Sequence, residues 1–109
     1  NQKRALDLYY ELLALKEPPM RILYLITRQF NLLMQVKELS EEGYSAKTIS
    51  ERLKMAGFIV RNCLRQAEYF SLKTLKEALQ DCVRMEEAVK TGRMNDVMSV
   101  ELLLVKYSS

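Results

Sequence analysis

The sequence predicts an all-α fold, a single compact bundle of about six helices, and two features carry that prediction. Apolar residues recur at steps of three and four along nearly the whole chain, the period of one helix face. Only three Gly and two Pro punctuate its 109 residues, too few for the turns of a many-stranded β-architecture and well suited to long helices with brief connectors. A hydrophobic fraction of 49% supplies a core, and a chain of this size buries roughly 65% of the surface that its unfolded form exposes. One domain spanning residues 1–109 fits that length, and no internal repeat or low-complexity run divides it.

The helices follow in order. From Gln2 to Lys16 the apolar Leu6, Tyr9 and Leu13, with Leu12 beside them, lie opposite Lys3, Arg4, Asp7 and Glu11. That helix should stop at Glu17, because Pro18 disfavours α geometry in the residue before it, and Pro19 suits the first position of the next. The second helix runs to about Glu42, with Ile22, Ile26, Phe30 and Leu33 in one stripe and Leu25, Leu32 and Val36 widening it. A helix apolar over so much of its circumference should be covered on several sides. Gly43 suits the left-handed residue that ends it. Ser45 can cap a short third helix from Ala46 to Met55, with Ile49 and Leu53 inward. Gly57 breaks it, and a fourth runs from Phe58 to Phe70 with Val60, Leu64 and Ala67 on its inner face. Ser71 caps a fifth, in which Leu72, Leu75, Leu79, Cys82, Val83 and Val89 turn inward while Gln80, Asp81, Arg84 and Glu87 face water. Gly92 ends it, and Asn95 or Asp96 caps a sixth through Val97, Val100, Leu103 and Leu104 to about Tyr107.

Much chemistry is excluded by composition. The chain has no His, so His-based nucleophile systems and His-ligated metals are out of reach. Glycines 43, 57 and 92 stand far apart, so no Gly-rich loop can wrap a phosphate. Adjacent acids such as Glu41 with Glu42 and Glu86 with Glu87 point in different directions on a helix and do not share a site. Cys63 and Cys82 lie in apolar helical patterns, the setting of reduced core thiols in a cytosolic protein. No catalytic residue, cofactor or metal is therefore expected. The densest apolar stretch, Ile22 to Val36, is interrupted by Thr27, Arg28, Gln29, Asn31 and Gln35, short of the roughly 20 clean residues a bilayer span needs, so no membrane partner is expected. The chain opens on Asn1 with no signal-peptide pattern, and it reads as a fragment of a longer protein.

One stretch has the outline of a helix-turn-helix. Between Gly43 and Phe70, Lys47, Arg52, Lys54, Arg61 and Arg65 face only Glu51 and Glu68, so the net charge of +3 lies wholly in this window. A stand-alone DNA-binding domain is the alternative this raises. Against it, a recognition helix should open with groups that hydrogen-bond to base edges, and this one opens with Phe58, Ile59 and Val60.

The succession of several short strings resembles a known family. Glu17-Pro18-Pro19-Met20-Arg21-Ile22-Leu23, then Ile26-Thr27-Arg28-Gln29-Phe30 and Leu33, is similar to the opening of the C-terminal domain of the bacterial DNA polymerase III delta subunit. Ile49 to Lys54, Leu64-Arg65-Gln66-Ala67 with Phe70 and Leu75, and Ala88-Val89-Lys90-Thr91-Gly92 followed by Glu101-Leu102-Leu103-Leu104 agree in order and spacing. Two departures fall at helix starts: Gly57-Phe58 and Asn95-Asp96 stand where members of that family often have a proline nearby.

The resemblance implies a clamp-loader collar-like fold in the cytoplasm, an oligomerisation domain of a longer protein whose AAA+-like N-terminal region is absent here. Its implied partners are the collar domains of the ATPase and delta-prime subunits, with the sliding clamp and primed DNA reached through the full-length complex. It implies no ATP hydrolysis by this chain. Candidate subunit-interface residues are Met98, Leu102 and Tyr107, which either dock on a neighbour or close the domain's own core. Arg28, Gln29, Arg65 and Gln66 are candidates for polar contacts that fix helix positions or for the same interface, against simple exposure. Lys90 and Arg93 flank the loop around Gly92 and are candidates for a DNA phosphate contact in the assembled loader, against plain solvation.

Overall fold

A computed structural model describes residues 2–108, the side chains of Gln2 and Arg4 excepted. Among the described residues there are six helices and no strand: α1 (Gln2–Ala14), α2 (Pro19–Glu41), α3 (Ala46–Leu53), α4 (Gly57–Ala67), α5 (Leu72–Lys90) and α6 (Asp96–Tyr107). The fold class is all-α, as the periodicity implies. The helices fall into two units. The first takes the chain up to Thr27 and again from Ala78 onward, and the second is Arg28 to Glu77. Both α2 and α5 contribute residues to each.

In the second unit, Leu33, Val36, Ile49, Val60, Cys63, Ala67 and Leu75 form one buried apolar cluster, flanked by half-buried Phe30, Leu39, Leu53, Leu64 and Phe70. Helix α3 packs on α4. The chain slows into a turn after Ala67, where the amides of Glu68, Tyr69 and Phe70 each bond back three residues. That tighter turn leaves Tyr69 exposed and lays Phe70 edge-on against Phe30, ring centres 6.0 Å apart. The Lys37 ammonium donates to the Ala67 carbonyl at 3.1 Å, giving that acceptor near the helix end a second partner beside the Phe70 amide.

In the first unit, α1 packs on α6, and Tyr9, Ile22, Leu23, Ala78, Cys82, Val100 and Leu103 are buried. Both cysteines are free and buried, and burial pushes their thiols above the usual range, with hydrogen bonds to Gln29 at Cys63 and to Thr27 at Cys82 opposing it.

The helix ends obey local chemistry with two adjustments. Ser45, Ser71 and Asn95 accept from the backbone N–H groups of Thr48, Thr74 and Met98 at 3.2, 3.0 and 3.2 Å, which are side-chain N-caps. Gly43 and Gly92 take the left-handed conformation expected of them. The first adjustment is that α1 stops at Ala14, two residues early. Lys16 itself turns left-handed at φ 65°, and the amides of Lys16 and Glu17 bond the carbonyls of Leu13 and Leu12, the paired closure of a helix C-terminus. Second, Lys54 at φ 55° ends α3, so Gly57 is not the breaker and instead opens α4. Along α2, Leu25, expected to widen the inward stripe, is exposed, as is Tyr24.

Candidate subunit interface

Helix α6 is built to present one face. Asn95 caps it and the Asp96 carboxylate sits in its first turn, where negative charge suits the helix dipole. Val100 and Leu103 are fully buried, and so is Ser99, whose hydroxyl donates to the Asp96 carbonyl at 2.8 Å. On the opposite side Met98 is 54% and Leu102 45% exposed. Four residues apart, they lie one above the other on the same helix face. Both side chains thus stand largely outside the domain's own core.

Polar contacts hold α6 at both ends. Near its start, the Tyr9 hydroxyl of α1 donates to the Val97 carbonyl at 3.0 Å. Burial, together with the nearby Glu101 and Asp96 carboxylates, pushes that phenol up to about 12. Near its end, two consecutive residues reach back to α5: Lys106 donates to Asp81 Oδ2 at 2.7 Å, and the Tyr107 hydroxyl donates to the same oxygen. Arg84 Nη1 approaches Oδ1 at 3.3 Å. Burial by itself would raise the Asp81 carboxyl, but the hydrogen bonds from Lys106 and Tyr107 and the charges of Lys106 and Arg84 outweigh it and hold it below the usual carboxylate range.

The candidates named from the sequence thus have different surroundings. Met98 and Leu102 face outward. Tyr107 is half-buried and its hydroxyl is engaged by Asp81. In the second unit, Gln29 Nε2 donates to Gln66 Oε1 at 2.9 Å and so ties α2 to α4, whereas Arg28 is exposed and Arg65 bonds Asn62 within α4. Lys90 is paired with Glu86 at 2.7 Å, which raises its ammonium above the ordinary value. Arg93 Nε donates to the Thr91 hydroxyl at 2.9 Å, and the side chain lines a shallow depression of about 560 Å³ with Arg84, Met85 and Met94.

Two expectations need correction. Asp81, placed on the wet side of α5, is buried, and Val83, placed on the inner side, is 62% exposed. The inward stripe of α5 runs through Leu75, Ala78 and Cys82, and Asp81 shares the face of Ala78 at the three-residue step. The signal available in the sequence was the adjacent Lys106 and Tyr107, two donors in the last turn of the next helix. Leu12, placed beside the apolar face of the first helix, is exposed, as are Leu8 of α1 and Leu15 just beyond its end. Among the described residues, no three His, Cys, Asp or Glu side chains gather as a metal site would need, and no helix is long and apolar enough to cross a membrane.

Six helices with polar contacts between them, and no strand among the described residues, define an all-helical domain. Comparison with known sequences supplies the family. The chain belongs to the family described as DNA polymerase III delta subunit, C-terminal domain, which matches residues 1–107. A curated relative, DNA polymerase III subunit delta of Bacillus subtilis (strain 168), is 35% identical over 108 residues, covering 97% of this chain and 31% of that protein. The solved structure of the Bacillus subtilis DNA clamp loader delta protein (YqeN) is similar with a TM-score of 0.88 at 35% identity, covering 97% of this chain and 32% of that one. The chain thus spans about a third of the length of the relatives it matches. The family assigns the segment from Gly43 to Phe70 to this domain, and the helix-turn-helix alternative finds no support.

Proposed function

We propose that this domain joins a delta subunit to its neighbours in a clamp loader, the assembly that places a sliding clamp on primed DNA during replication. It does so by packing against the equivalent helical domains of the ATPase and delta-prime subunits. The carrying observation is the pairing of family membership over nearly the whole chain with an α6 that exposes Met98 and Leu102 on the side away from its buried face. In this reading the domain itself makes and breaks no bonds, works in the cytoplasm, and reaches the clamp and DNA only through the full-length complex. Lys90 and Arg93 are the basic residues nearest a role at DNA phosphates, and of the two Arg93 is the better placed, since Lys90 already has Glu86 as its counter-ion.

Full-length delta protein carrying this domain, mixed with the other loader subunits and separated by size, tests the proposal. The wild type should co-elute with them. Leu102→Asp places a charge in what should become a desolvated contact and should remove the protein from the complex while its helical circular dichroism stays unchanged. Co-elution of Leu102→Asp at wild-type proportion would reject α6 as the docking face.

A further inference from the structure

We propose that Asp81 is the positioning residue of this docking face: by binding Lys106 and Tyr107 together it fixes the rotation of α6 about its own axis, and so the direction in which Met98 and Leu102 point. The inference rests on the assembly role just described. A single hydrogen bond between two helices fixes a separation but leaves one helix free to roll. Two donors from consecutive residues are different, because neighbouring positions lie about 100° apart around the axis. Both converge on one oxygen, Asp81 Oδ2. Rolling α6 by even half that angle withdraws one donor from the carboxylate. The Lys106 ammonium also sits 5.4 Å from the centre of the Tyr107 ring, so the pair is braced against itself.

Position and burial fit this role. Asp81 is 9% exposed, and a buried charge left without its partners is strongly unfavourable. The pin therefore discriminates sharply between rotational settings. At the other end of α6 the Tyr9 hydroxyl meets the Val97 carbonyl, which fixes height but bonds to a backbone atom on one side only. Met98 and Leu102 lie between the two anchors. Mutual orientation of an exposed stripe matters most when the partner is a rigid helix, because interdigitating ridges tolerate little rotation.

The test is a double-mutant cycle on the association of full-length delta protein with the remaining loader subunits, read as a dissociation constant. Asp81→Asn should weaken association roughly tenfold with helical content unchanged. Leu102→Ala should weaken it too, and the double variant should fall well short of the product of the two factors, because a misdirected stripe that has already lost Leu102 has less to lose. Tyr107→Phe removes one donor while leaving the carboxylate paired with Lys106, and it should show the same non-additivity with Leu102→Ala at smaller size, which keeps the test usable if Asp81→Asn does not fold. Factors that simply multiply, or an Asp81→Asn protein that associates like wild type, would overturn the inference. If Leu102→Asp is itself without effect, the docking face and this inference fall together; if Leu102→Asp disrupts and Asp81→Asn does not, only the positioning role falls.

Discussion

The two units solve the same packing problem by different means. Residues 28–77 carry nine basic and six acidic side chains and the remainder eight of each, so the whole charge excess lies in the second unit. Its coherence is apolar, a buried cluster running through α2, α3, α4 and α5, and its cations stand mostly in water, with Lys37 held near Glu41 at 4.0 Å. The first unit balances its charges and engages them: Arg84 and Lys106 with Asp81, Lys90 with Glu86, and Arg21 with Glu17. Yet the same unit exposes most of the large apolar side chains that reach solvent, from Leu8, Leu12 and Leu15 to Met98 and Leu102. The contrast shows two ways in which one small helical chain is held together. Where apolar residues are to be offered outward, polar pins replace some of the burial that would otherwise hold the helices.

The contrast breaks if the second unit does not depend on its core. Leu75 is fully buried in that cluster, and Leu75→Ala should destabilise by about 2–5 kcal/mol, the range for deleting a core leucine and leaving a cavity. Urea unfolding would show it as a lowered midpoint with an unchanged slope, and a midpoint near wild type would mean that the cluster is not what holds this unit. A smaller effect should come from the first unit and should depend on pH. The Asp81 carboxyl is depressed in the folded state, so its contribution is fully present above the unfolded carboxylate range, near pH 4, and is lost as pH falls through the lower folded value. Asp81→Asn should accordingly cost about 1–3 kcal/mol at pH 7, and the gap to wild type should close as the medium is acidified below roughly pH 4. A gap that stays constant down to strongly acid pH would show that the carboxylate charge contributes nothing to the pin.

What the sequence made legible divides along the same line. Periodicity found every helix because a 3.6-residue repeat is written into any rod with one wet side, and Ser45, Ser71, Gly43, Gly92 and Asn95 marked ends because each acts through its own backbone or side chain within a few residues. The ends at Lys16 and Lys54 were not legible, since nothing in a lysine announces a positive φ. Asp81 was misplaced for a deeper reason. Its burial depends on donors 25 and 26 residues away, and hydropathy along one helix carries no information about a neutralising partner on another. Val83 failed in the opposite direction: an apolar residue at a helical step is assigned inward by default, and only the position of the neighbouring helices decides otherwise. The exposure of Met98 and Leu102 follows from α6 having more apolar residues than one stripe can use.

The smallest expected effect concerns the charge excess itself. Arg61 and Arg65 are exposed on α4, and the bond from Arg65 to Asn62 stays within one turn of that helix. If the second unit is held by its apolar cluster, reversing both charges to Glu removes no contact between elements. Exposed substitutions of this kind usually lie within about 0.5 kcal/mol of wild type. The reversal carries one built-in bias, because Arg65 lies in the last turn of α4, where a cation suits the helix dipole and an anion opposes it. Arg65→Glu alone should therefore be slightly less stable than Arg61→Glu alone, by a few tenths of a kcal/mol, and the difference should shrink in high salt, which screens exposed charges. Thermal unfolding of the two single variants and the double would settle the matter. A loss of more than about 1 kcal/mol in the double would mean that these cations do hold the second unit together.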